Sequence, residues 1–397
     1  MNAKLLGSIL LIVGTSIGGG MLALPIATSQ TGFVDSSLLL FCCWLVMTAS
    51  AFLILEVNLW LPSDSNMISM AKATLGKSGQ AVAWVTYLLL LYSLLAAYIA
   101  GGGGFLKNLL STFHLSLPQW TSSILFASVL GVIVIQGVRS VDMVNRTLMF
   151  LKLGAFILLI ALIFPNVSLI KLNSGQFNYM TASITVAITS FGFATIVPSL
   201  RHYFQDDIKK LHLAILIGSL IPLFCYILWD IAIMGVIPRE GNHGLMAMLH
   251  SNQSTTDFVN SLSSLLRRQA ITNFATVFTS ICLATSFLGV ALSLFDFLAD
   301  GLKIKKEGRF TFLIGLLTFL PPLLVVLFYP GAFIAALSYA GIYCVILLIL
   351  LPALMAWSGR YRKSLAGGYQ VIGGKPLLAA LILISVYIIG KSLAGII

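Results

Sequence analysis

Gly14-Thr15-Ser16-Ile17-Gly18-Gly19-Gly20-Met21, with Pro25 five residues past the last glycine, is a stretch that an uninterrupted helix tolerates poorly. Each interior glycine lowers helix stability by about 1 kcal/mol, and the proline removes a backbone donor. Yet residues 5–30 around it are apolar enough to cross a membrane. In lipid, the carbonyls and amides freed by such a break must find partners, so it persists only against protein or a wet cavity. The stretch therefore predicts a membrane helix interrupted half-way.

A second interruption lies at Ser190-Phe191-Gly192-Phe193-Ala194-Thr195, with Pro198 six residues after Gly192. Working outward from the two, hydropathy and punctuation predict eleven helices, near 5–30, 34–60, 80–110, 120–138, 145–164, 178–203, 211–236, 270–302, 310–329, 331–357 and 376–397. The broken ones are the first and the sixth. Two inverted five-helix repeats, about 5–164 and 178–357, would place a Gly/Pro break at those two positions, and such a pair points to a transporter's midplane site. The expected fold is an all-α integral membrane protein, a single transmembrane domain over 1–397 with helices 1 and 6 broken and an extra helix at about 376–397. The stretch 240–268 is too polar to span. Its Leu245, Met246, Met248 and Leu249, then Phe258, Leu262 and Leu265, predict short helices lying over the outer face.

Composition agrees. The 397 residues are 59% hydrophobic and only 9% charged, which excludes ordinary soluble, disordered and disulfide-stapled classes. The formal charge of +11 is spread over loops with no dense basic run, so it reads as topology signal and not as a nucleic-acid surface. With the N-terminus cytoplasmic, sixteen of the 23 Lys and Arg fall in inner loops and six in outer ones. This positive-inside bias puts the C-terminus in the periplasm. Lys4 and the apolar run to Ala23 resemble a signal peptide faintly; the downstream break of the same kind favours a retained first helix. The five cysteines lie in apolar segments without metal-ligand spacing and read as small core residues.

The chemistry follows from exposed backbone. Half-helix N-termini offer unsatisfied N–H groups and a positive dipole end, suited to a carboxylate; half-helix C-termini offer carbonyls, suited to an ammonium or a metal cation. Together they can hold the zwitterionic head of an amino acid. The backbone of Thr15, Ser16, Ile17, Gly18, Gly19 and Gly20, and of Ser190, Phe191, Gly192, Phe193 and Ala194, is the candidate head-group site. Gly18, Gly19 and Gly192 should be least replaceable, because a Cβ would crowd the ligand and favour re-forming the helix. The alternative is that these glycines only allow close helix packing; for Gly101-Gly102-Gly103-Gly104, packing or helix termination suffices. Four ionisable residues fall within spans: Glu56, Lys152, Asp230 and Asp296. Such charges are costly and default to function. Asp230 and Asp296 lie toward helix ends and are expected to reach headgroups or a loop cation, whereas Glu56 suits packing or an inner gate equally. No metal-spaced cluster, nucleophile elbow or phosphate loop is present, so neither an enzyme nor a cofactor is expected.

These residues resemble the hydroxy/aromatic amino acid permeases of bacteria, within the amino acid–polyamine–organocation superfamily, with the tyrosine-specific members most similar. The likeness rests on Gly14 to Pro25, on Ser190-Phe191-Gly192-Phe193 with Val197-Pro198-Ser199, on Leu283-Ala284-Thr285-Ser286-Phe287-Leu288-Gly289-Val290-Ala291-Leu292, on Leu294-Phe295-Asp296-Phe297-Leu298-Ala299-Asp300 and on Phe319-Leu320-Pro321-Pro322. It extends over almost the whole chain. Family members often carry a histidine directly after Ser-Phe-Gly-Phe. Here Ala194 and Thr195 follow, which argues against a proton relay at that position.

The resemblance implies a fold of leucine-transporter type and import of an aromatic amino acid, L-tyrosine first, across the inner membrane. Proton symport by alternating access is the expected mechanism. Tryptophan or phenylalanine as substrate, and sodium coupling, are the alternatives; a non-transporting sensor or an intramembrane enzyme are the rivals of another class. Tyr92, Tyr98, Phe191, Phe193, Ser286 and Phe287 are candidates for the side-chain pocket, since aromatic rings accept a tyrosine ring by offset or edge contacts. In this architecture, carbonyls of the first break and the hydroxyls of Thr285 and Ser286 could form a small cation site. Lys152 lies six residues past Arg146, roughly 9 Å into its span at 1.5 Å per residue. Its ammonium could fill that site and make sodium unnecessary, gaining and losing a proton as access alternates. Snorkelling to the inner boundary is the alternative.

Overall fold

The computed structural model describes residues 3–394 apart from 64, 112–113, 116, 173–174, 176–179, 205–206, 243, 250, 304–308 and 366. Among these residues there are helices and turns and no strand. The α-helices are α1 (Ala3–Ser16), α2 (Gly19–Ala27), α3 (Phe33–Leu59), α4 (Met67–Ser111), α5 (Gln119–Ile135), α6 (Val138–Ile163), α7 (Leu169–Leu172), α8 (Met180–Ser190) and α9 (Val197–Phe204). They continue with α10 (Ile208–Met234), α11 (Leu245–Leu249), α12 (Ser254–Leu266), α13 (Gln269–Gly301), α14 (Arg309–Phe328), α15 (Ala332–Val345), α16 (Leu351–Tyr361) and α17 (Gly374–Ala394). Among the described residues nine helical stretches are long and apolar enough to cross a membrane, or ten when α1 and α2 are taken as one bent span. The seventeen-residue α5 is the shorter apolar helix.

α2 is buried along its whole length, whereas α1 leaves Leu6, Leu10 and Leu11 exposed on one face. α1 packs on α10, α2 packs on α8, and α3 closes against α8 and α10. On the other side α13 lies between α4 and α6, while α15 covers α4 and α8. Close approach here depends on missing side chains. A Cβ at Gly218 of α10 would stand 2.8 Å from Ile12 of α1, and one at Gly101 2.9 Å from the Phe333 ring. The four-glycine run 101–104 sits inside α4, so packing and not helix termination accounts for it. Thr255 and Thr256 of α12 donate to the Gly101 and Gly104 carbonyls, both at 3.1 Å. The outer shell is apolar: Phe150, Ile157, Phe312 and Phe328 are all exposed, as side chains facing lipid are.

Several boundaries differ from the sequence reading. The helix predicted near 80–110 is the part of α4 that follows Gly76 (φ 79°, ψ −163°), where a non-helical residue separates it from a preceding helical run that starts at Met67. The tenth predicted helix carries a π-helical turn at Ile346–Leu350 between α15 and α16. The polar stretch 240–268 does form two short helices, and of the apolar residues named above Leu245, Met248, Phe258 and Leu262 are buried, with Leu265 exposed. Lys305 and Lys306, which contribute to the charge bias, and Asp206 lie outside the described residues.

Candidate functional site

At the first interruption, helical hydrogen bonding continues to Ile17, whose N–H donates to Val13 O at 2.9 Å. The backbone then extends at Gly18 (φ −158°, ψ −147°), and α2 leaves at 49° to α1. That conformation is open to any residue; the space is not. A Cβ on Gly18 would overlap Ser286 Oγ, one on Gly19 would stand 2.5 Å from the Tyr98 ring, and one on Gly20 2.9 Å from Ser190 Oγ. Ser286, on α13, accepts the Gly19 N–H at 2.9 Å. Its hydroxyl thus takes one of the amides that the start of a helix leaves without an internal partner. Ser16 to Gly20 are buried, whereas the Thr15 side chain is exposed and donates back to Ile12 O at 2.9 Å.

The carbonyl side of the same break meets a cation. Lys152 of α6 is 1% exposed, so its amine turns inward and does not snorkel. Its Nζ donates to Ile17 O at 2.6 Å and lies 3.4 Å from Thr285 Oγ1. Thr285 donates its own proton to Ile281 O at 2.8 Å, which leaves a lone pair for the ammonium. No carboxylate pairs with Lys152 among the described residues. The negative end of α1 and a freed carbonyl are what a buried positive charge can use there.

The second interruption is milder. α8 ends at Ser190, Phe191 turns (φ −100°, ψ 28°), and a 3₁₀ turn over Gly192–Ile196 carries the chain into α9. Local bonds survive: Phe191 N–H donates to Ile188 O at 3.0 Å and Thr195 Oγ1 to Gly192 O at 3.3 Å. At Gly192 the nearest protein atom to an added Cβ is Cys344 Sγ at 4.0 Å, so a side chain there would crowd a ligand and not the packing.

One residue joins the two breaks, and sequence reasoning missed it. Tyr226 of α10 is fully buried, and its hydroxyl lies 2.7 Å from both Ser16 O and Ser190 O, the carbonyls where α1 and α8 stop. A phenol has one proton, so it donates to one carbonyl at a time. Its ring also receives Phe191 edge-on at 5.1 Å. The only local signal was a tyrosine instead of a phenylalanine in mid-span, because a buried phenol needs a partner.

The other predicted site residues divide. Tyr98 and Ser286 stand at the first break, and Phe191, Phe193 and Ala194 are fully buried at the second. Tyr92 instead donates its hydroxyl to Leu317 O of α14 at 2.7 Å. Phe287 lies between Phe126 of α5 (5.5 Å, edge-on) and Phe319 of α14 (5.9 Å, stacked). Glu56 is fully buried far along α3, where Arg360 of α16 grips both its oxygens at 2.7 and 2.5 Å and the Val371 amide donates at 2.8 Å. Nearby, His212 meets the Tyr369 hydroxyl at 2.6 Å, and burial together with the Glu56 carboxylate pushes that phenol up to about 12. Asp296 is half-buried. Asp230 has neither the headgroup access nor the loop cation expected of it: it is fully buried, with Ser36 Oγ donating at 2.7 Å.

Comparison with known proteins gives a consistent result. The profile of the tryptophan/tyrosine permease family matches residues 1–391. Tyrosine-specific transport system 1 of Haemophilus influenzae is 35% identical over 390 residues, 97% of this chain and 95% of that protein. Tyrosine-specific transport system 2 of the same organism is 35% identical over 392 residues, 98% and 96% of the two chains. A tryptophan-specific transport protein of Pseudomonas aeruginosa is 32% identical over 394 residues, covering 96% and 93%.

Proposed function

Because the chain belongs to the tryptophan/tyrosine permease family, a family of transporters and not of enzymes, we propose that it imports L-tyrosine by proton symport with alternating access about the two breaks. The observation that carries the coupling half of this reading is the Lys152 ammonium at 2.6 Å from the Ile17 carbonyl. A fixed ammonium sits where a metal cation would otherwise satisfy that carbonyl and the Thr285 hydroxyl, so sodium has no role to play. In this reading eleven spans, counting α5, form two inverted repeats, α1–α6 and α8–α16, with α17 added outside. The N-terminus is cytoplasmic, the C-terminus periplasmic, and the membrane is the bacterial inner membrane.

The substrate's carboxylate docks at the start of α2, on the amides of Gly18 and Gly20 beside the Gly19 amide that Ser286 holds, and its ammonium at the ends of α1 and α8. Tyr98, Phe191, Phe193 and Ser286 form the side-chain pocket; Tyr92 and Phe287, engaged with α14 and α5, support that pocket from outside it. The names of the relatives, tyrosine-specific and tryptophan-specific, frame the substrate question. Tyrosine is favoured because the two relatives at 35% identity are both named tyrosine-specific, and the Ser286 hydroxyl at the first break offers a partner to a substrate phenol. Uptake of labelled tyrosine by proteoliposomes under an imposed pH gradient, competed with unlabelled tryptophan, phenylalanine and glutamine, is the test. Competition by tryptophan tenfold better than by tyrosine would reassign the substrate, and no gradient-driven uptake of any of them would end the reading.

A further inference from the structure

Four residues beyond Tyr226 on the same face of α10, about 6 Å along its axis, stands Asp230. It is fully buried, Ser36 of α3 donates to its Oδ2 at 2.7 Å, and its Oδ1 is buried with no partner. The indole N–H of the adjoining Trp229 is buried without an acceptor as well. An ionised carboxylate in this position would have one hydroxyl to compensate a full charge, which is several kcal/mol short of what burial demands. Most charged groups on the helices packed against α10 are occupied elsewhere, and Arg139 of α6 is exposed. Lys152 of α6 is bonded at the first break, and Lys171 of α7 donates to Val236 O at 2.5 Å. Arg201 of α9 donates to the Asn58 and Leu61 carbonyls, Glu56 of α3 pairs with Arg360, and Asp142 and Arg146 of α6 pair with each other. Asp35, beside Ser36, is a half-exposed second acid.

We propose that Asp230 is a proton-binding site of this carrier, loaded from the outer aqueous phase and closed between α3 and α10 in the arrangement seen here. One O–H bond forms, between Oδ1 and a proton delivered by water; the hydroxyl of Ser36 keeps Oδ2 oriented; and the same O–H bond breaks when the site is rehydrated from the other side. The neutral acid explains why a carboxyl can be buried without a cation, and the single turn to Tyr226 places its loading next to the carbonyls that hold the two breaks together. This rests on the proton-symport reading above.

The experiment uses the full-length protein in proteoliposomes containing a trapped pH dye. Tyrosine-induced internal acidification is divided by labelled-tyrosine exchange, which counts working carriers. The wild type should acidify on adding tyrosine, Asp230→Asn should lower the acidification per exchanged tyrosine at least tenfold, and Asp230→Glu should restore it with a displaced pH profile. An unchanged ratio in Asp230→Asn overturns the proposal while leaving proton symport intact; a wild type that exchanges tyrosine without acidification overturns proton symport itself. Should Asp230→Asn not assemble, Ser36→Ala decides: a shift in the pH profile of accumulation supports the site, and an unmoved profile overturns it.

Discussion

The two helix interruptions look alike as sequence and differ as structure. Between α1 and α2 the chain extends and bends by 49°, and three consecutive glycines are pressed by Ser286, Tyr98 and Ser190. Between α8 and α9 the chain keeps a 3₁₀ turn and local hydrogen bonds, and the one glycine there has room for a side chain. The first break also has both its polar ends engaged, the carbonyl by Lys152 and the amide by Ser286. The lesson is that glycine serves two purposes in one site. At the first break it makes space for neighbouring side chains, and at the second it makes the helix easy to interrupt. Tyr226, bonded to the last carbonyl of each half-helix, joins the two breaks by hydrogen bonds, and Gly20 packed on Ser190 joins them by contact.

Substitutions can separate these purposes. Gly19→Ala should have the largest effect of the substitutions compared below, because its Cβ would stand 2.5 Å from the Tyr98 ring. Overpacking of that kind costs about 1–3 kcal/mol, or roughly five- to 150-fold in tyrosine affinity at 1.4 kcal/mol per tenfold. Equilibrium binding to detergent-purified protein measures it, and wild-type affinity would remove the steric account of the first break.

Tyr226→Phe should come next. It leaves the Ser16 and Ser190 carbonyls to share no donor, at a cost of about 1–3 kcal/mol for buried groups left unpaired. The loss should appear as slower transport at saturating substrate more than as weaker binding, because the phenol joins the breaks and does not line the side-chain pocket. Equal loss in binding and rate would mean that Tyr226 contacts substrate instead.

Ser286→Ala removes the acceptor of the Gly19 amide and should weaken tyrosine binding by about 1 kcal/mol, roughly fivefold. Gly192→Ala should have the smallest effect, within about threefold in affinity, since the added Cβ meets nothing closer than 4.0 Å and alanine favours the helix by only about 1 kcal/mol. Gly192→Leu, with more to accommodate, should be worse than Gly192→Ala, whereas at Gly19 the first methyl already does most of the damage. The same ranking at both positions would erase the difference between the two breaks.

The breaks themselves were legible in the sequence because their signal is local: Gly18-Gly19-Gly20 and Gly192 interrupt otherwise apolar runs, and prolines follow. The depth of Lys152 was legible for the same reason, as a count of residues from Arg146. What no local pattern carries is the rotation of a helix about its axis when every side is apolar. Tyr92 and Phe287 looked as suitable for a pocket as Tyr98 and Phe193, yet the first two turn to α14 and α5. Tyr226, Asp230 and Glu56 find their partners 210, 194 and 304 residues away, across contacts that only the packed bundle creates. The π-helical turn at Ile346–Leu350 has no sequence marker at all; its five residues are Ile and Leu throughout.

The central claim is that the ammonium of Lys152 occupies the cation position at the first break. Initial uptake of labelled tyrosine into proteoliposomes under an inward proton gradient tests it, with sodium replaced by potassium throughout, for the wild type and for Lys152→Met. The account predicts wild-type uptake that is indifferent to the replacement and a variant that loses gradient-driven accumulation by at least tenfold. Sodium-dependent uptake by the wild type, or undiminished proton-driven accumulation by Lys152→Met, would contradict it.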